Sequence, residues 1–193
     1  MTKRVFFSFH YQDVIDFRAN VVRNHWMTKP DREEAGYFDA SIWESARRQG
    51  EIALKQLING GLEGTTNTCV LVGSETYARP WVRYELLKSF KRGNRLFAVH
   101  INTIKSKDGS IKALGPNPLA YVGVTYSKDG RTATLWEKNG GDWKKYDKID
   151  GSASYAVQVS EQYSGNGYHL GDLYSLYDWV ADNGYNNFSL WVK

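Results

Sequence analysis

At 193 residues, with 41% hydrophobic and 24% charged side chains, the chain can bury a core without a disulfide or metal staple and is too apolar for wholesale disorder. Its single cysteine excludes an intramolecular disulfide and suits a reducing cytosol, and no apolar run approaches the ~18 residues of a membrane span. The net charge of +4 lies in the first 101 residues, which carry 15 Lys and Arg against 11 Asp and Glu, whereas residues 102–193 carry 10 of each; without a clustered basic stripe, this is not the pattern of a nucleic-acid binder.

Arg4-Val5-Phe6-Phe7-Ser8-Phe9 is rich in aromatic and β-branched residues and predicts a buried strand. Behind Lys3-Arg4 it imitates a signal start, but His10, Gln12 and Asp13 cut the run too early. Asp13 is placed as an N-cap, with Asp16 adding charge to the first turn, of a helix striped by Val14, Phe17 and Val21 and flanked by Val22 and Trp26. Met27-Thr28-Lys29-Pro30-Asp31 breaks it. Tyr37-Phe38-Asp39 reads as a short strand, Ser41 as the next cap, Leu54, Leu57 and Ile58 as a helical stripe, and Asn59-Gly60-Gly61 as its stop. Residues 68–72 form a second buried strand, and Cys69 within it reads as a small hydrophobe. Pro80 opens a third helix striped by Val82, Leu86 and Phe90 and closed at Gly93; residues 96–101 form a third buried strand. Apolar strands alternating with helices predict a mostly parallel α/β sheet covered on both faces.

The second half changes character. Gly-Pro-Asn-Pro at 115–118 is a loop; residues 121–126, 133–137 and 143–146 read as short strands, with Asn139-Gly140-Gly141 as a hairpin turn. Leu173, Leu176, Tyr177 and Val180 mark an amphipathic helix stopped by Asn183-Gly184, and residues 188–192 a last helical turn. Residues 1–103 are expected to form the α/β core and residues 104–193 an aromatic-rich extension packed on it as one domain.

Most generic chemistry fails to appear. His10, His25, His100 and His169 show no ligand spacing and no cysteine partners, so no metal site is expected. Neither a G-x-S-x-G elbow nor a phosphate loop is present, and Gly165, Gly167 and Gly171 read as plain loop. One constellation survives. If Pro80 opens a helix, Trp81 and Glu85 are four apart and share a face beside the Val82/Leu86 stripe. That helix starts at the carboxyl end of the Cys69 strand, where open α/β sheets place their ligands, and the first strand delivers Phe9, His10 and Tyr11 to the same edge. The alternative is that Trp81 is core and that Glu85 pairs with Arg79 or Lys88 on a solvated face.

These residues resemble the TIR domain family. Val5-Phe6-Phe7-Ser8-Phe9-His10 is similar to its first strand, Gln12-Asp13 to the polar start of its first helix, and residues 68–73 followed by Ser74-Glu75-Thr76-Tyr77 to its third strand and loop. Trp81-x-x-x-Glu85 resembles the motif of the TIR domains that consume NAD, and the whole chain resembles the branch serving the bacterial Thoeris anti-phage system. The resemblance implies a flavodoxin-like fold and a cytoplasmic enzyme, with NAD as substrate and no cofactor. It implies release of nicotinamide, a cyclic ADP-ribose-type signal that activates a partner effector, and self-assembly with other TIR domains; neither nucleic acid nor membrane is expected as a partner. By motif match Glu85 takes the catalytic position, Trp81 lies near the nicotinamide, and Phe9 and His10 line the pocket. Asp39 and Ser41 are placed at the pocket from a stretch lacking a clean second strand, and Arg79 or Arg83 is expected near the pyrophosphate. The competing readings are a non-enzymatic TIR interaction module, a flavodoxin-like nucleoside transferase and, on the mild basicity alone, a nucleic-acid binder.

Overall fold

The computed structural model describes residues 3–36, 38 and 40–192. Five strands form one sheet: β1 (Lys3–Phe9), β2 (Arg32–Ala35), β3 (Asn67–Val72), β4 (Arg95–His100) and, late in the chain, β10 (Leu176–Asp178). Their order is β2-β1-β3-β4-β10, and every pairing is parallel. This is the doubly wound, flavodoxin-like order. Strand alternation sends Phe6, Val70, Leu96 and Ala98 to one face and Val5, Phe7, Cys69, Leu71, Phe97 and Val99 to the other, and each face builds its own core.

The helices are α1 (Tyr11–Ile15), α2 (Arg18–Met27), α3 (Ala40–Gln49), α4 (Glu51–Leu62), α5 (Pro80–Lys91), α6 (Leu170–Leu173) and α7 (Gly184–Trp191). Helix α2 packs Ala19, Val22 and Trp26, and α7 packs Phe188 and Trp191, on the Phe7/Leu71/Phe97 face. Helices α4 and α5 cover the opposite face through Ile58, Leu62, Val82 and Leu86. A second sheet, all antiparallel, is made by β5 (Val122–Tyr126), β6 (Thr132–Asn139), β7 (Asp142–Lys145), β8 (Ser154–Ala156) and β9 (Gly167–His169). Val122, Val124, Ala133 and Leu135 join its inner face to the α4/α5 core. The Gly140-Gly141 hairpin between β6 and β7 forms as expected from Asn139-Gly140-Gly141.

Several expected elements are corrected. The expected helix over Val14–Trp26 is two helices, broken at Phe17, whose φ of 65° turns the chain and exposes Ile15 and Phe17. The break brings Arg18 inward, where it donates to the carbonyls of Ile104 at 2.9 Å and Ser110 at 3.0 Å. Asp13 is not a cap: α1 starts at Tyr11 with His10 in the cap position, and Asp13 is buried against Gly73. Burial lifts its carboxyl to about 6. The second strand is Arg32–Ala35; the stretch expected to form it includes Tyr37 and Asp39, which lie outside the described residues.

Ser41 lies inside α3, one residue past its start. Gly60 and Gly61 do not stop α4, which runs to Leu62; a Cβ on Gly61 would sit 2.9 Å from the Phe38 ring, so glycine lets that ring pack against the helix. The expected Leu173–Val180 helix is instead the end of α6 followed by strand β10, and Asn183-Gly184 opens α7 rather than ending a helix. Pairing along β4 and stacking of Tyr177 on Trp191, with centroids 4.3 Å apart, outweigh the local helical spacing. Gly167, expected in plain loop, starts the short strand β9.

Candidate active site

Pro80 occupies the first position of α5, where its missing N–H costs nothing and its fixed φ suits a helix start. The helix begins at the carboxyl rim of the parallel sheet, beside the end of β1. Between them opens a cavity of about 480 Å³ lined by Phe7, Phe9, His10, Arg79, Trp81 and Glu85, with Pro80 and Val82 beside them. Helix α3 closes another wall with Trp43, Glu44 and Arg47, and Phe38 and Gly36 complete it behind β2. Gly36 has φ +80°, and a Cβ there would lie 2.5 Å from the Phe7 carbonyl oxygen. Only glycine turns the chain that tightly against β1.

Glu85 is buried, 6% exposed, and accepts a hydrogen bond from Ser8 Oγ at 2.5 Å. Neither of the surface partners that a solvated face would supply reaches it: Arg79 pairs with Glu75 and Lys88 with Asp150. Burial pushes the Glu85 carboxyl up to about 8, against the pull of the Ser8 hydroxyl. A carboxyl group so displaced, fronting a cavity, is a candidate for a functional site. Trp81 stands one helical turn away, edge-on to Trp43 at 6.4 Å and to Tyr84 at 5.8 Å, and Trp43 stacks on Phe38 at 6.3 Å. The result is an aromatic wall opposite a carboxyl group.

His10 leaves β1 at the cavity mouth, and burial, with Arg79 nearby, lowers its imidazole below the ordinary value. Arg79 has a buried Nε without a hydrogen-bond partner. It stands at the N-cap of α5, whose first-turn N–H groups lack intrahelical acceptors, so this corner favours an anion.

Of the residues singled out from sequence, Glu85, Trp81, Phe9, His10 and Arg79 therefore meet around one cavity. Ser41 does not: it lines the shallow groove between α3 and α4 with Ile42, Ser45 and Gln49. Asp39 lies outside the described residues. Arg83 is also elsewhere, held by Glu137 of β6 at 3.1 Å. Sequence reasoning missed Phe38, Trp43, Glu44 and Arg47; the only available signal was Trp43 and Arg47 four apart on one helical face. Among the described residues no group of three or more His, Cys, Asp or Glu side chains could hold a metal ion, and no helix is long and apolar enough to cross a membrane.

Sheet order and the position of the cavity define a flavodoxin-like domain of the TIR type, and the chain belongs to that family: the family model described as "Thoeris protein ThsB, TIR-like domain" matches residues 6–106. Every cavity residue named above falls within that stretch. Over its full length, and the full length of the relative, the chain is 56% identical across 195 residues to "Putative cyclic ADP-D-ribose synthase ThsB1" of Bacillus cereus (strain MSX-D12). The likeness therefore extends through the antiparallel sheet and α7, beyond the part that the family model covers.

Proposed function

We propose that the chain cleaves the nicotinamide–ribose bond of NAD in the Glu85 cavity and closes the released ADP-ribose into a cyclic signal. The observation that carries this reading is Glu85 itself, a buried carboxyl group that fronts an aromatic-walled cavity and, among the described residues, forms no ion pair. The name of the 56% identical relative, a cyclic ADP-D-ribose synthase, supports the same chemistry.

One carboxylate is enough for this bond. An ordinary glycoside needs an acid to protonate its leaving oxygen. The nicotinamide of NAD is already cationic; it keeps the electron pair of the broken C–N bond and departs neutral. Positive charge then develops on the ribose, and a fixed carboxylate in a water-poor slot stabilises that charge more than it stabilises the ground state. With its proton held up to about pH 8, the Glu85 carboxyl group is largely uncharged at neutrality; a pyridinium ring beside it favours the anion and expels the proton. Trp81, backed by Trp43, offers the ring a stacking and cation–π surface worth about 0.5–2 kcal/mol. Arg79 and the start of α5 suit the pyrophosphate. A hydroxyl of the same substrate then attacks the ribose carbon and gives its proton to the Glu85 carboxylate or to solvent, which closes the ring; water in its place yields ADP-ribose.

The reading extends to a downstream effector that the cyclic product activates, and to assembly with other copies of the chain. The test is a small-molecule extract from phage-challenged cells expressing the native chain or Glu85→Gln, analysed by mass spectrometry. A cyclic ADP-ribose species and free nicotinamide, both lost with Glu85→Gln, are expected. Unchanged NAD with defence intact in both would mark an interaction module instead.

A further inference from the structure

Ser8 is fully buried in β1, which pairs on one side with β2 and on the other with β3. It lies in register with Val70 of β3, and Val70, Val72, Val82 and Leu86 belong to the apolar core on this face of the sheet. A hydroxyl in such a place is costly unless it has a partner, and the partner it has is Glu85 Oε2, at 2.5 Å. Ser8 and Glu85 are thus each the answer to the other, and Glu85 fronts the cavity, whereas two further buried hydroxyls on this face, Thr68 of β3 and Ser89 of α5, pair with each other at 2.9 Å. The charged and titratable groups that share the cavity are His10 and Tyr11 from the end of β1 and α1, Glu44 and Arg47 from α3, and Arg79 from the start of α5. None of them acts on Glu85 strongly enough to register beside burial and the Ser8 hydroxyl.

We infer that Ser8 is a positioning residue for the reaction proposed above: its hydroxyl fixes the Glu85 carboxyl group at the cavity wall and, by donating to it, favours the anion that the bond cleavage requires. The inference rests on that reading of the site. The hydroxyl touches no reacting atom; it acts through Glu85. A donor to a carboxylate stabilises the charged form, so its loss lets burial drive the carboxyl group still further upward. From the ordinary strength of a hydrogen bond to a charged group, the displacement is about one to two pH units.

The test uses the full chain and its Ser8→Ala and Ser8→Thr variants. In protein carrying 13C-labelled glutamate, the Glu85 carboxyl resonance, assigned by its disappearance in Glu85→Gln, is followed through a pH titration. It is expected to titrate near 8 in the native chain, about one to two units higher in Ser8→Ala, and close to native in Ser8→Thr, which keeps the hydroxyl. The acid limb of kcat/KM for nicotinamide release from NAD moves by the same interval in Ser8→Ala, with the high-pH rate retained within a few fold. An unshifted Glu85 titration in Ser8→Ala, or a loss of rate that is equal at every pH, overturns the role of Ser8. If nicotinamide release is abolished in Glu85→Gln while the Ser8→Ala profile stays unshifted, the proposed reaction stands and Ser8 drops out. Full release in Glu85→Gln removes Glu85 from the reaction, and the proposed role of Ser8 with it.

Discussion

Helix α5 meets two neighbours and treats charge differently toward each. Toward the antiparallel sheet and its connections, Arg83 reaches Glu137 at 3.1 Å, while Lys88 and Lys91 reach Asp150 at 3.4 and 3.0 Å. Toward the rim of the parallel sheet, Glu85 is buried with a single hydroxyl for company, and its proton is held to about pH 8. Along the first flank each of these three α5 cations has a carboxylate. The second flank leaves a buried acid without a counter-charge, an arrangement that costs stability and persists where chemistry uses it.

The comparison breaks most visibly at Glu85. Replacing it with Gln is expected to lower the rate of nicotinamide release by about 10²–10³-fold while leaving the fold intact, measured at saturating NAD. On the paired flank, Arg83→Ala strands Glu137, a partly buried carboxylate. It should cost about 1–3 kcal/mol of stability, read as a fall in Tm of about 2–4 °C per kcal/mol, with the activity per folded molecule kept.

The stability of Glu85→Gln sharpens the contrast. Folded Glu85 keeps its proton to about pH 8, whereas the unfolded chain releases it near the ordinary 4.5. The folded state therefore binds more protons across that interval, and native stability falls as pH rises through it. Glu85→Gln removes the Glu85 share of the slope, leaving that of Asp13: its Tm exceeds the native value at pH 8.5 and matches it near pH 4, by differential scanning fluorimetry. Trp81→Ala removes the ring surface facing the carboxyl group and is expected to raise KM for NAD by about 2–30-fold, the equivalent of 0.5–2 kcal/mol. The smallest effect is Lys88→Ala, whose partner Asp150 is exposed; a stability change below about 1 kcal/mol is expected.

What could be read from sequence follows from where each signal is local. Residues 68–72 and 96–101 announce buried strands because both faces of the parallel sheet are covered and their runs are continuously apolar. Pro80 followed by Trp81 and Glu85 fixes a helix start and a helix face within six residues, so the heart of the candidate site was legible. Strand β2 was not. Arg32-Glu33-Glu34-Ala35 is an edge strand, and edge strands carry charge that hides their period. The same gap hides the α3 wall: without β2 in place nothing in the sequence orients Trp43 and Arg47 toward the cavity, and Ser41, expected as a cap near the pocket, lies in the α3/α4 groove instead.

The β10 segment failed for a different reason. Leu176 and Tyr177 carry a helix-compatible spacing, and only the remote partner β4 makes them a strand. Asp13 reads as a cap because Asp is a favoured capping residue just ahead of a helical stripe, whereas in the fold it lies within α1 and packing against Gly73 buries it. Local pattern governed the first group, and contacts distant in sequence decided the second.

The most direct test of the central claim follows nicotinamide release from NAD across pH 6 to 9.5 for the native chain and Glu85→Gln in parallel. A native kcat/KM that climbs with pH and levels off above about 8, beside a Glu85→Gln rate that is low and flat, is the predicted result. Equal rates in the two proteins, or a native profile indifferent to pH across that range, would contradict the assignment of the buried carboxylate to bond cleavage.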